Sequence, residues 1–264
     1  MTNSNTAELC TYELRDGIAH IGLNRPEKRN AISDRFVEVI AQAAERAESE
    51  AKAAVLFGHG DHFCAGLDLA EHTTKSLREG VAGSRRWHAV FELIQNGTIP
   101  WVSALHGAVV GGGLELAAST HLRVAGADAY FGLPEGQRGI YVGGGGSVRI
   151  ARLMGVARMT DMMLTGRVAT AEEAERWNLV QYVVGKGEEL AKATELALRT
   201  ATNAPFSNYA VINALPRIQD MAKSDGLFVE SFIATFASAM PEAEQRLRDF
   251  LEKRAGKVKP PSEG

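Results

Sequence analysis

The chain has 264 residues, 45% of them hydrophobic and 23% charged, with a formal net charge of -3. That composition supports a buried core without help from metal or disulfides and leaves no cationic footprint for nucleic acid. The two cysteines, Cys10 and Cys64, have no CxxC spacing, and no uncharged apolar run is long enough to cross a bilayer, so a soluble cytoplasmic protein with reduced thiols is expected.

Between Tyr12 and Leu23, partly alternating polarity flanks Asp16-Gly17, which predicts a hairpin. A short loop, Asn24 to Asn30, follows. From Ser33 or Asp34, either a suitable N-cap, Phe36, Val37, Ile40, Ala44 and Ala47 recur at helical spacing as far as Glu48-Ser49-Glu50. Ala53 to Phe57 reads as a buried strand, Trp101 to Leu105 as another, Leu114 to Thr120 as a helix and Leu122 to Ala125 as a strand. Such alternation means an α/β core. Beyond Gly155 the chain is mostly helical, with runs over Ala157 to Leu164, Ala171 to Trp177, Glu188 to Thr202 and Leu227 to Ala239 and one strand signal at Val180 to Val184. Pro205, Pro216 and Pro241 mark boundaries, and the polar, proline-bearing tail from Lys257 to Gly264 is expected to fray.

Two strand-glycine-helix units carry the chemistry. One is His62 to Leu69, containing Ala65-Gly66-Leu67-Asp68; the other is Gly111-Gly112-Gly113 ahead of Glu115. Glycine permits close approach to a ligand and a helix N-terminus adds partial positive charge, so the N–H groups of Ala65 and Gly112 are placed to grip an enolate-like oxygen together. Neither cluster has the GxGxxG or lysine-ended form of a nucleotide loop. Glu115 and Glu135 lie twenty residues apart, and if folding converges them one pocket holds paired carboxylates, the equipment for moving a proton between water and carbon. His59, His62, His106 and His121 share no metal-ligand spacing, and Trp87, Phe91 and Trp101 fit a core as readily as an acyl pocket.

Asn24 to Ala31, Phe63 to Leu69, His106-Gly107 with Gly111 to Leu116, and Phe131 to Glu135 together resemble the crotonase (enoyl-CoA hydratase/isomerase) family across nearly the whole chain. The resemblance implies an α/β fold, a spiral of ββα units over residues 1–200 that carries the acyl-CoA site, followed by a helical oligomerisation region over 201–264. It implies a homotrimer or dimer of trimers and an acyl-CoA thioester as substrate, with coenzyme A part of that substrate and no separate cofactor. Ala65 and Gly112 match the oxyanion-hole positions. Glu115 and Glu135 match the acid/base pair of hydratases, with Glu115 activating water and Glu135 delivering the α-carbon proton.

The same resemblance places Arg25 and Lys28 in a CoA-contacting loop, Ala65, Gly66, Leu67 and Asp68 along adenine and pantetheine, and Phe250 and Lys253 at the lip of the site. Asp68 equally suits a helix cap. The sequence departs from the hydratase pattern at Ile140 to Gly146, where a uniform glycine run replaces a proline-bearing one. There Tyr141 either offers a hydroxyl to a polar, aromatic or heteroatom-bearing acyl group or packs in the core. Isomerase and hydratase-lyase chemistry share the scaffold. RNA binding, known among relatives with a lysine-rich first helix, is disfavoured because Asp34 to Glu50 holds Glu38, Glu45, Glu48 and Glu50 against Arg35 and Arg46.

Overall fold

The computed structural model describes residues 9–72, 76–252 and 254. The chain divides into two compact units, Met1–Thr202 and Asn203–Gly264. In the first, β1 (Cys10–Arg15) and β2 (Ile18–Leu23) form the expected antiparallel hairpin. Asp16 and Gly17 close it with φ of 52° and 77°, the left-handed pair that matches strand twist in a two-residue loop. Helix α1 (Asp34–Glu50) begins where Ser33 Oγ accepts the Phe36 N–H at 3.2 Å, and it buries Phe36, Val37, Ile40, Ala44 and Ala47.

After α1 come β3 (Ala53–Gly58), α2 (Leu69–His72), α3 (Leu77–Gln95), β4 (Trp101–Leu105), β5 (Ala108–Val110), α4 (Gly112–Ala117), β6 (Leu122–Gly126) and β7 (Tyr130–Gly132). They are followed by α5 (Gly146–Met154), α6 (Val156–Thr165), β8 (Val168–Thr170), α7 (Ala171–Arg176), β9 (Tyr182–Val184) and α8 (Glu189–Ala201). A six-stranded sheet runs in the order β1-β2-β3-β4-β6-β9, parallel from β2 onward, and a three-stranded sheet runs β5-β7-β8. The chain steps from large sheet to small sheet to helix and back, as β4-β5-α4 and then β6-β7-α5, which is the expected spiral of ββα units.

One face of the large sheet buries Ile21, Leu23, Leu56 and Leu105 with Phe36 and Ile40 of α1 and Phe91 and Ile94 of α3. The other packs Ile18, Val55, Val102 and Val124 against Ala193, Leu196 and Ala197 of α8. No helix among the described residues is long and apolar enough to cross a membrane.

The second unit comprises α9 (Pro205–Gln219), α10 (Lys223–Ser238) and α11 (Pro241–Leu251). Pro205 and Pro241 sit at first helical positions, where no N–H is needed. Pro216 is the exception to the expected boundaries: it lies inside α9, which continues three residues beyond it at the cost of one internal hydrogen bond. The tail from Lys257 lies outside the described residues.

Candidate active site

Two turns of the spiral meet at the site, and buried Asn30 sets one of them. Its Nδ2 lies 3.0, 2.8 and 3.1 Å from the carbonyls of His59, His62 and Phe63, which docks the 25–31 loop on the turn after β3. Two residues later Ile32 bridges Leu67 in parallel: the Ile32 N–H donates to Gly66 O at 2.7 Å, and the Asp68 N–H donates to Ile32 O at 2.9 Å. In a parallel bridge the residues on either side supply the hydrogen bonds, so the N–H of Leu67 itself points away from Ile32.

That geometry corrects one sequence expectation. The Ala65 N–H donates to the Arg29 carbonyl at 2.9 Å and is not open to a ligand. The open amide in this turn belongs to Leu67. It faces Gly112, at whose position a Cβ would stand 3.5 Å from Leu67 N. Gly112 opens α4, so its own N–H has no intrahelical partner. Gly66 and Gly111 make the approach possible: both have positive φ, 96° and 53°, and a Cβ would fall 2.7 Å from Val110 O in the first case and 2.7 Å from Glu135 Oε1 in the second.

The two carboxylates converge. Ala65, Gly66, Leu67, Gly112, Glu115, Glu135 and Tyr141 line one cavity of about 100 Å³, together with Trp87 and Arg138. Glu115, buried in the first turn of α4, has an Oε1 that accepts the Gly144 N–H at 2.8 Å and the Gly146 N–H at 2.7 Å. Glu135, buried beside it, leaves Oε2 without a hydrogen-bond partner. Burial pushes both carboxyls above their ordinary range. Against that rise the Gly144 and Gly146 N–H groups and the Arg149 charge favour ionised Glu115, whereas the Glu115 charge raises Glu135 further. Glu115 is therefore a hydrogen-bonded carboxylate held in place by main-chain donors, and Glu135 lines the same cavity with an oxygen left unpartnered.

The other sequence-derived positions divide. Tyr141 is 68% exposed at the cavity mouth, not a packing residue of the core. Arg25 Nη1 lies 2.8 Å from Asp68 Oδ2 and 3.1 Å from Ala31 O, and Asp68 Oδ1 accepts the Ala70 N–H at 3.2 Å, so Asp68 is a cap and a counter-ion to Arg25. Neither lines the cavity. Lys28 is exposed at the end of a short 3₁₀ turn, Pro26–Lys28, and Phe250 is 56% exposed on α11 of the second unit. Lys253 lies outside the described residues. Trp87 packs edge-on against Phe91 with ring centroids 5.6 Å apart and reaches the cavity, whereas Trp101 is core. Each histidine of the sequence set has a polar partner: Thr11 for His59, the Ala108 N–H for His62, Gly60 O for His106, and the Trp101 N–H and Gln95 O for His121. Among the described residues no cluster fit to hold a metal occurs. The sequence reading missed the Leu67 donor, Arg138 and the Gly144–Gly146 cradle; the glycine run was the one signal pointing to the last.

Paired acids facing two free main-chain donors are the parts needed to move protons about a carbonyl compound through an enolate. The sequence pattern described as Enoyl-CoA hydratase/isomerase matches residues 13–259. The chain is 33% identical over 241 residues to enoyl-CoA hydratase EchA19 of Mycobacterium tuberculosis, covering 89% of this chain and 90% of that protein. It is 32% identical over 234 residues to 2,3-dehydroadipyl-CoA hydratase of Escherichia coli, covering 88% and 91%. A solved structure of a putative enoyl-CoA hydratase from Rhodopseudomonas palustris superposes with a TM-score of 0.92 at 46% identity, over 98% of this chain and 100% of that one. This protein belongs to the enoyl-CoA hydratase/isomerase family.

Proposed function

We propose that the protein is an enoyl-CoA hydratase that adds water across the α,β double bond of an acyl-CoA thioester. The carrying observation is one cavity lined by two buried glutamates beside the open N–H groups of Leu67 and Gly112. Glu115 takes a proton from water as its oxygen attacks the β-carbon. The π electrons move toward the thioester carbonyl, whose oxygen is held by the Leu67 and Gly112 N–H groups. Glu135 then gives its proton to the α-carbon, and proton return from Glu115 to Glu135 resets the pair. Donors aimed at developing charge contribute about 3 kcal/mol each to barrier lowering, and acid/base help contributes roughly 10²- to 10⁴-fold. Coenzyme A enters as part of the substrate, and no separate cofactor is needed for these steps.

Hydration is tested with crotonyl-CoA, by loss of the conjugated thioester absorbance and by gain of one water in the product mass. A shifted double bond or a shortened chain would instead indicate an isomerase or a hydratase-lyase. The hydratase names carried by the relatives support hydration. Tyr141 and Arg138 at the cavity favour a polar or heteroatom-bearing acyl group, in keeping with the dicarboxylic substrate named for the E. coli relative. Phe228, Phe232 and Phe236 form an exposed stripe at four-residue spacing on α10, which suits burial in a homotrimer or dimer of trimers. A cytoplasmic location fits the reduced cysteines.

A further inference from the structure

We propose that Arg149 is the positioning residue for Glu115, holding the glycine turn that orients its carboxylate. The proposal rests on the hydratase reading and concerns a residue that does not line the cavity.

Glu115 Oε1 is held by two amides of one tight turn, the N–H groups of Gly144 and Gly146. The peptide between those donors joins Gly144 to Gly145, and Gly145 is left-handed at φ 98°. Side chains cannot hold this turn in place, because it has none, and glycine backbone is the freest available. Side chains cannot be added either: a Cβ at Gly144 would meet Phe91, Glu115 and Trp87 at 3.0–3.1 Å, and one at Gly146 would meet Glu115 at 2.9 Å. The turn needs an outside anchor.

Arg149 supplies it. Its Nη1 donates to Gly144 O at 2.8 Å, the carbonyl of that middle peptide, while its backbone N–H donates to Gly145 O at 3.0 Å. The guanidinium is buried, with 6% of its side chain exposed, and is fixed from α3 by Glu92, whose Oε1 lies 2.7 Å from Nη2, and by Gln95, which accepts from Nε. Arg149 meets its three acceptors through three different nitrogens of one fixed plane, whereas lysine carries its three donors on a single nitrogen and cannot span the same positions. The clamp therefore runs from α3 through Arg149 to the turn and on to the Glu115 carboxylate. It has an electrostatic arm as well, because the Arg149 charge favours ionised Glu115. The other charged or titratable groups facing this assembly are Glu92 and His88 from α3 and Glu135 and Arg138 from the segment after β7.

The test compares R149M, R149K and E92Q with the wild type, following the pH profile of kcat/KM, separate kcat and KM for crotonyl-CoA, and thermal unfolding. R149M is expected to lose about a hundredfold in kcat, the scale of a misplaced reacting group, with KM little changed. Its acid limb moves to higher pH, because a charge favouring ionised Glu115 is gone. R149K returns the limb toward its wild-type place without restoring kcat. E92Q moves the limb to lower pH, because the negative charge that offsets Arg149 is removed. A folded R149M with wild-type kcat and an unmoved limb, or with a lowered melting temperature alone, overturns the proposal. Should R149M not fold, an unmoved limb in E92Q overturns it. Wild-type protein that hydrates no enoyl-CoA refutes the hydratase reading instead, so the two failures are separable.

Discussion

The Ala65 amide donates to the Arg29 carbonyl across 2.9 Å, and that bond moves the anion donor of the turn two residues on, to Leu67. Left-handed Gly66, at φ 96°, turns the backbone between the two, and the parallel bridge to Ile32, made by Gly66 O and the Asp68 N–H, leaves the Leu67 N–H facing the other way. With a non-hydrolysable acyl-CoA bound, the amide proton resonances of Leu67 and Gly112 are expected to shift downfield and their exchange with solvent to slow, whereas Ala65 stays in place. A shift at Ala65 equal to that at Leu67 would return the donor to the position expected from sequence.

Glu115→Gln and Glu135→Gln are each expected to cut kcat by two orders of magnitude or more, the scale of lost acid/base participation. The melting temperature should not fall above pH 7. The sign follows from burial: both carboxyls titrate above their ordinary range, so the folded state holds protons that the unfolded chain has released, and stability declines as pH rises from about 4.3 through the folded values. Above that window both wild-type sites carry the cost of buried charge, which a neutral glutamine avoids. The same displacement puts the acid limb of wild-type kcat/KM above the usual carboxylate range. A limb near pH 4, or near-wild-type turnover in either variant, counts against these roles.

Much of this site was legible before the fold. Asp16-Gly17, the Ser33 cap and the buried run after Lys52 each announced their element through local chemistry, and the glycine-flanked glutamates named the pocket. What escaped depends on long-range geometry. Helix α3 was passed over although Ser76 and Glu79 form a capping box, because exposed Leu77 and Val81 at its start blur the apolar stripe. The strands of the small sheet are three residues each, too short to show a period. Which amide faces the ligand depended on the Ile32–Leu67 bridge, set by a partner thirty-five positions away. The pairing of Arg25 with Asp68 was not legible either, because the two sit on different loops forty-three positions apart.

Both cysteines are expected to resist thiol reagents in the native state. Burial pushes the thiols of Cys10 and Cys64 up to about 12, and Cys64 Sγ also donates to the Asn30 carbonyl, so the reactive thiolate is scarce near neutral pH. Ellman's reagent at pH 8 should modify both thiols only after denaturant is added, with activity unchanged beforehand. Rapid modification of the folded enzyme would contradict the packing around β1 and the Ala65 turn.

Arg25 and Lys28 occupy one loop but should separate by experiment. Arg25 is paired with Asp68, holding that carboxyl below its ordinary range, so the pair contributes stability above the unfolded carboxylate pKa of about 3.9 that is lost as pH falls through the lower folded value. Arg25→Gln and Asp68→Asn should therefore each cost about 1–2 kcal/mol near neutral pH, and the double variant should cost clearly less than their sum. Lys28 is exposed and absent from the ion pairs of the described residues, free to meet a phosphate group of coenzyme A. Lys28→Gln should raise KM for acyl-CoA severalfold, more at low salt than at high, and leave the melting temperature in place. The decisive comparison sets KM against melting temperature for R25Q and K28Q. If R25Q raises KM as K28Q does and unfolds at the wild-type temperature, Arg25 belongs to the ligand and its bond to Asp68 is incidental.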